Sequence, residues 1–327
     1  MIRISILVPE SSVVQAIADP QYVFSAANQF LASAGKKPLF EVELVAAKPT
    51  IELNNGLFTV HPNRLLNEVE QTDLIFVPAL FGNMAQAISL NEAVIPWLVD
   101  QYNKGAEVAS LCVGAFLLAS TGLLNGKRCS THWGFQEEFK EMFPKVELVQ
   151  GGIVTEENGI YSSGGAHSYW NLLLYLLEKY SNRETAILAS KYFAIDIDRN
   201  SQASFSIFKG QKNHYDKEIL ESQEYIERNF QNKFITIELA KLARLGRRTF
   251  ERRFKEATSN SVMEYVHRIK VEAAKRQFET TRANINEVMY DVGYNDSKSF
   301  RVIFKKVTGI TPNEYRRKYY KKAPIEI

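Results

Sequence analysis

Two kinds of residue group in this 327-residue chain could do chemistry. One is a single thiol, Cys112, in the run Ser110-Leu111-Cys112-Val113-Gly114-Ala115. The run follows an apolar strand pattern and opens an apolar helix. A sharp turn permitted by Gly114 would present the thiol as a nucleophile elbow does. A thiolate there would gain from the helix dipole, but a buried, inert cysteine after a core strand fits the same residues. The other group is a pair of cationic runs, RRTFERRFK at 247–255 and DSKSFRVIFKK at 296–306. Arginine and lysine repeated at helical spacing can neutralise phosphate or bond guanine in a major groove.

Each cationic run is the second half of the same local plan. A short helical pattern at 237–243 leads through Arg244-Leu245-Gly246 into the first run, and one at 285–292 leads through Gly293-Tyr294-Asn295 into the second. Helix, tight turn with glycine, helix is the order of a helix-turn-helix. In the first run Phe250 and Phe254 lie four apart on one face, which leaves Arg248, Glu251, Arg252 and Lys255 on or near the other. In the second, Phe300, Ile303 and Phe304 form the apolar stripe, with Lys298, Arg301, Val302 and Lys305 outward. Between the runs, apolar residues from Val262 to Phe278 keep a 3.6-residue period. This predicts one helix over 262–279, about 27 Å long at ~1.5 Å per residue. Such a strut suits two reading helices set about one DNA turn, or ~34 Å, apart.

The basic half resembles the DNA-binding domain of AraC/XylS-type transcription regulators. The resemblance rests on VGYNDSKSFRVIFKKVTGITPNEYRRKY at 292–319 and, in the first unit, on Leu239-Ala240 and the stretch from Arg248 to Phe254. It implies that helices near 247–256 and 296–306 each enter a major groove of double-stranded DNA. The family's base-reading positions would fall on Arg248, Glu251, Arg252, Ser297, Lys298, Arg301 and Val302. Three departures stand out: Gly246 at the usual serine N-cap, Ser259 at a usual glycine, and Met289 where a small alanine is common.

The elements ahead of this half alternate. Apolar runs rich in β-branched residues at 2–8, 40–46, 74–78 and 108–111 are separated by helical patterns at 23–34, 95–103 and 114–121. Continuous apolar strands between helices predict a largely parallel, flavodoxin-like sheet with helices on both faces. Segments 152–155 and 160–163 flank Glu-Glu-Asn-Gly and predict a hairpin. A helix at 169–179 follows, and 182–200 reads as a further helix and strand.

This half resembles an amidase-like (ThiJ/PfpI-type) domain of the class I glutamine amidotransferase-like superfamily. The carriers are Cys112 in its turn, Thr131-His132-Trp133, Ser163-Gly164-Gly165-Ala166 and Asp19-Pro20-Gln21-Tyr22-Val23-Phe24. One branch of AraC/XylS-type regulators fuses such a domain N-terminally. Catalysis by a thiol needs a nearby base. Peptidase and amidase relatives place a histidine directly after the cysteine, where this chain has Val113. Relatives with an acidic partner near the first helix have it where this chain has Ala16. Cys112 and His132 are therefore expected to line an effector or redox pocket, or a dimerisation element, rather than a catalytic centre.

Composition bounds the rest. Residues 1–210 carry 15 Lys+Arg against 21 Asp+Glu, and residues 211–327 carry 25 against 16. A mildly acidic half joined to a basic one points the basic half toward a polyanion. Two cysteines, Cys112 and Cys129, cannot make a disulfide framework and have no partners at metal-ligand spacing. The longest apolar stretch, 111–119, is far short of the ~20 residues that span a bilayer. The expectation is a cytoplasmic transcription regulator without cofactor, metal, membrane contact or enzymatic activity. It has an α/β domain at 1–204, a linker at 205–217 and an all-α domain at 218–327. Its expected partners are DNA, the transcription machinery, a small-molecule effector and a second copy held through the N-terminal domain. A Cys112-dependent hydrolase or Cys112 redox sensor fused to a DNA-binding domain is the alternative.

Overall fold

A computed structural model describes residues 1–149, 151–197, 203–208, 210–212 and 214–320. The chain divides into two compact units, Met1–Gln202 and Ala203–Ile327.

The first unit opens with β1 (Ile2–Leu7), α1 (Val14–Ser33) and β2 (Phe40–Ala46). A small hairpin of β3 (Ile51–Leu53) and β4 (Phe58–Val60) follows, then β5 (Arg64–Leu65) and β6 (Leu74–Val77). Next come α2 (Met84–Leu90), α3 (Val94–Asn103), β7 (Glu107–Ser110) and α4 (Ala115–Ser120). After these run β8 (Arg128–Cys129), α5 (Gln136–Met142), β9 (Glu147–Leu148), β10 (Val154–Glu157) and β11 (Ile160–Ser163). Helices α6 (Tyr169–Tyr180) and α7 (Arg183–Tyr192) complete the unit.

Seven strands form one sheet in the order β10-β11-β7-β6-β1-β2-β5, parallel throughout except at β10. All four residues of β6 are buried, as are Ile4 to Leu7 of β1, so both faces of the sheet are covered. Helices α1, α6 and α7 pack together as one group, and α2, α3 and α4 as another. The hairpin between β10 and β11 turns on Asn158 and Gly159, both at positive φ (52° and 73°), the conformation a tight two-residue hairpin turn requires.

Three expectations need correction. Helix α1 begins at Val14, not 23, and runs through Pro20 near its start. Burial of Ala16, Ile17 and Pro20 holds that first stretch helical where propensity alone would stop it. Helix α7 is present, but 193–197 form no strand, and the remainder of the expected strand, 198–200, lies outside the described residues. The segment 205–217, expected as a connector, is in part packed: Phe208 lies against the core of the second unit, and α8 already begins at Lys217.

The second unit is helical. Its elements are α8 (Lys217–Arg228), α9 (Thr236–Leu242), α10 (Arg247–Thr258), α11 (Val262–Thr280), α12 (Ile285–Asp291), α13 (Ser297–Thr308) and α14 (Pro312–Tyr319). Two separate cores form within it. One gathers Ile219, Leu239, Phe250, Phe254 and Tyr265, and the other Val271, Phe278, Met289, Phe300 and Phe304. Helix α11 contributes its first half to one and its second half to the other.

Candidate nucleic-acid interface

The two reading units are built alike down to single hydrogen bonds. In each, two phenylalanines one turn apart are fully buried, Phe250 with Phe254 and Phe300 with Phe304. In each, a buried threonine hydroxyl at the helix end donates to the carbonyl four residues back: Thr258 to Phe254 at 2.7 Å, Thr308 to Phe304 at 2.8 Å. A left-handed residue then stops the helix, Ser259 (φ 55°) in one unit and Gly309 (φ 80°) in the other. A capping box starts the next helix, Ser261 with Glu264 and Thr311 with Glu314. Serine at the left-handed position is strained where glycine is not, so the departure at Ser259 has a structural cost. Gly246 caps α10 without a side-chain acceptor, whereas Asp296 caps α13 by accepting from the Ser299 N–H at 2.7 Å. Met289 is accommodated in the second core, 2% exposed.

With the phenylalanines inward, the outward faces follow. Arg248, Arg252 and Lys255 are exposed on α10, and Glu251 is partly so. Lys298, Arg301, Val302 and Lys305 are exposed on α13, with Ser297 partly covered. The two faces differ in charge. On α10, Arg247 pairs with Glu251 (3.0 Å) and Arg252 with Glu256 (2.9 Å). Helix α13 contains no acidic residue at all. Arg248 and Arg301 form no ion pair among the described residues.

Sequence reading missed Arg253, which points the other way. Its guanidinium donates twice to Asp216 (2.8 and 2.6 Å) and once to Glu218 (2.6 Å). Asp216 also caps α8 by accepting from Ile219 N–H. The paired guanidinium holds the Asp216 carboxyl below its usual range. Arg253 therefore clasps α10 to the start of α8. The signal was available in the helical wheel, where position 253 falls beside the phenylalanine stripe.

In the first unit the segments quoted for Cys112 do converge on it. Cys112 has φ 56°, the strained turn of an elbow. A Cβ on Gly114 would stand 2.4 Å from the Val77 carbonyl oxygen, so only glycine lets α4 start this close to the end of β6. The Cys112 N–H donates to Ser163 Oγ (3.3 Å), and Thr131 Oγ1 donates to the Cys112 carbonyl (3.2 Å). The geometry is that of an elbow, and the thiol in it is buried. Burial pushes the thiol up to about 12, with the Val113 N–H opposing only weakly.

No hydrogen bond joins Cys112 to His132 among the described residues. His132 Nδ1 instead accepts from Gly134 N–H at 3.0 Å, the ring lies beside Trp133, and burial lowers its pKa. Glu10, the carboxylate that follows β1 and precedes Ala16, pairs with Lys48 at 2.5 Å. A pair that the sequence reading did not assign lies nearby: Tyr169 donates to Asp19 Oδ2 at 2.6 Å, and the tyrosine's acidity is suppressed by burial, by Asp19 and by Cys112. Among the described residues no group of His, Cys, Asp and Glu is arranged to hold a metal, and no helix is long and apolar enough to cross a membrane.

Comparison with known proteins agrees with both halves. Residues 17–179 match the DJ-1/PfpI family, and residues 239–318 match a helix-turn-helix domain. The HTH-type transcriptional regulator GbdR of Pseudomonas aeruginosa is 26% identical over 237 residues, 72% of this chain and 64% of its own length. The chain thus spans just under two thirds of that relative. The HTH-type transcriptional regulator GlxA of Rhizobium meliloti is 24% identical over 320 residues, 97% of this chain and 96% of its own. Among solved structures, an AraC family transcriptional regulator from Pseudomonas putida superposes with a TM-score of 0.51 at 16% identity. It covers 59% of this chain and 100% of that one, a likeness of fold.

Proposed function

We propose that this chain, a DJ-1/PfpI domain followed by an AraC-type helix-turn-helix domain, is a sequence-specific DNA-binding transcription regulator that reads two successive major grooves. One observation carries the reading: α10 and α13 both bury their phenylalanines and expose Arg252 and Arg301, and a single 19-residue helix, α11, joins them. At ~1.5 Å per residue that helix spans about 28 Å, the scale of one DNA turn. Arg248, Glu251, Arg252, Lys255, Ser297, Lys298, Arg301, Val302 and Lys305 are the proposed contact residues.

The first unit acts in this reading as a sensing or dimerisation module and not as an enzyme. A thiol held protonated, with no base at hydrogen-bond distance among the described residues, supports that assignment. Its proposed partners are a small-molecule effector at the Cys112 side of the sheet and a second copy of the chain. The DNA-bound form is proposed to act on the transcription machinery of the cytoplasm. Footprinting the full chain on a site selected from random duplex tests the reading. Two protected clusters about 10 base pairs apart are expected; protection of one cluster alone, or of every sequence equally, rejects it.

A further inference from the structure

The two cores of the helical unit share α11, and Phe230, just after α8, also packs against the second. Val262, Tyr265 and Val266 belong to the first core, and Val271, Ala274 and Phe278 to the second. A shared helix fixes the distance between α10 and α13 along its axis. It does not by itself fix how the two halves of the helical domain are turned about that axis. Sideways fastening must do so, and beside the apolar packing of Phe230 two buried lysines of α11 supply polar ties.

Lys270 is 5% exposed. Its Nζ donates to the Asn232 carbonyl at 3.0 Å and to the Gly293 carbonyl at 3.1 Å, and it lies 5.2 Å from the centre of the Tyr294 ring. Asn232 is in the loop between α8 and α9, in the half of the helical domain built on the first core, and Gly293 is in the turn that leads to α13, in the half built on the second. The backbones meet here: a Cβ on Gly293 would stand 2.0 Å from the Gln231 oxygen. One amine thus bonds to both halves of the helical domain where their backbones meet.

Lys275, 3% exposed, makes the second fastening. It pairs with Glu272 at 2.7 Å and donates to the Ser206 carbonyl at 2.5 Å. Ser206 belongs to a stretch of chain that lies against both halves of the helical domain. On one side of it, Tyr319, which packs on the second core, donates to the Ser204 carbonyl at 3.2 Å, and its ring meets Phe205 edge-on. On the other side, Phe208 packs edge-on against Tyr265 of the first core, 5.3 Å between centres.

Burying an ammonium is costly, and an apolar side chain of similar volume often gives equal or better stability. Two such lysines on one helix, each bonded to carbonyls of segments where the two halves of the helical domain meet, are better explained by placement than by stability. We infer that Lys270 and Lys275 are positioning residues that set the spacing and angle at which α10 and α13 read DNA. The inference rests on the two-groove reading above.

The test uses the full chain and three versions of its selected duplex: the two contact clusters at native separation, and with one base pair inserted or removed. One base pair turns the second groove by about 34° and shifts it ~3.4 Å. The unaltered chain is expected to prefer native spacing by about tenfold or more, and absence of any preference would reject the two-groove reading itself. Lys270→Met, and separately the charge-neutral pair Lys275→Met with Glu272→Met, are expected to cut that preference to about threefold or less. Affinity for the misspaced duplexes should hold or rise. A merely structural role would lower affinity on all three duplexes alike. That result, or native spacing preference in both variants beside a normal unaltered chain, overturns the inference.

Discussion

Arg252 Nη1 lies 2.9 Å from Glu256 Oε2, one turn along the exposed face of α10, while on α13 the corresponding place is taken by Val302 and the neighbouring Arg301 has no acidic residue on its helix. Exposed pairs of this kind contribute little to stability, about 0–1 kcal/mol. At a polyanion their effect is different, because Glu256 both occupies the guanidinium and repels phosphate.

Glu256→Gln is therefore expected to raise affinity for selected and random duplex alike and to steepen the salt dependence by about one counterion. Titration at several salt concentrations measures both, and an unchanged slope with unchanged affinity would show that Glu256 stays clear of the DNA.

Arg252→Ala and Arg301→Ala should each cost roughly 1–3 kcal/mol and relax preference at a few base pairs. The two sets of relaxed positions should lie about 10 base pairs apart. If both variants relax the same positions, the helices do not read separate grooves.

Substitutions beneath the reading faces should act through folding instead. Phe304→Ala is expected to destabilise the helical unit by about 3–5 kcal/mol through the cavity it leaves. Gly293→Ala, at φ 79° and against the Gln231 carbonyl, should also lower the denaturant midpoint. Little change in either midpoint would contradict the packing described for the second core.

The Arg253 clasp predicts a pH effect of definite sign. Asp216 is held below its ordinary value in the folded chain. Its contribution is fully present above the unfolded value, about pH 3.9, and is lost as pH falls through the lower folded one. Arg253→Met should remove that part of the acid dependence, measured as chemical stability between about pH 2 and 5. An identical acid profile in the variant would mean that the pair contributes nothing.

Cys112 carries the opposite sign. Its pKa rises on folding to about 12, so folding keeps a proton that the unfolded chain loses near 8.5. Stability from this group is present below about pH 8.5 and declines as pH rises toward 12. Iodoacetamide should modify Cys112 slowly in the native chain at pH 8 and rapidly once denaturant is added. Fast native labelling, or hydrolysis of an ester panel abolished by Cys112→Ala, would restore the enzyme reading.

Local pattern is enough for most of the elements and for the faces they bury. A strand buried on both sides, such as Leu74–Val77, is a continuous apolar run whatever surrounds it, and Phe250 with Phe254 must share a helix face because the helix repeats every ~3.6 residues. How residues far apart in the chain use their charges depends on the packed fold. Arg253 and Arg252 are adjacent and chemically identical, yet one clasps Asp216, 37 residues away, and the other faces solvent. Lys270 and Lys275 read as ordinary cations of a basic half until Asn232, Gly293 and Ser206 are brought to them. Cys112 likewise carries the local pattern of a nucleophile, and the surrounding sheet and helices bury it and leave it a thiol. Periodicity is a property of neighbours along the chain, whereas desolvation and pairing depend on neighbours in space.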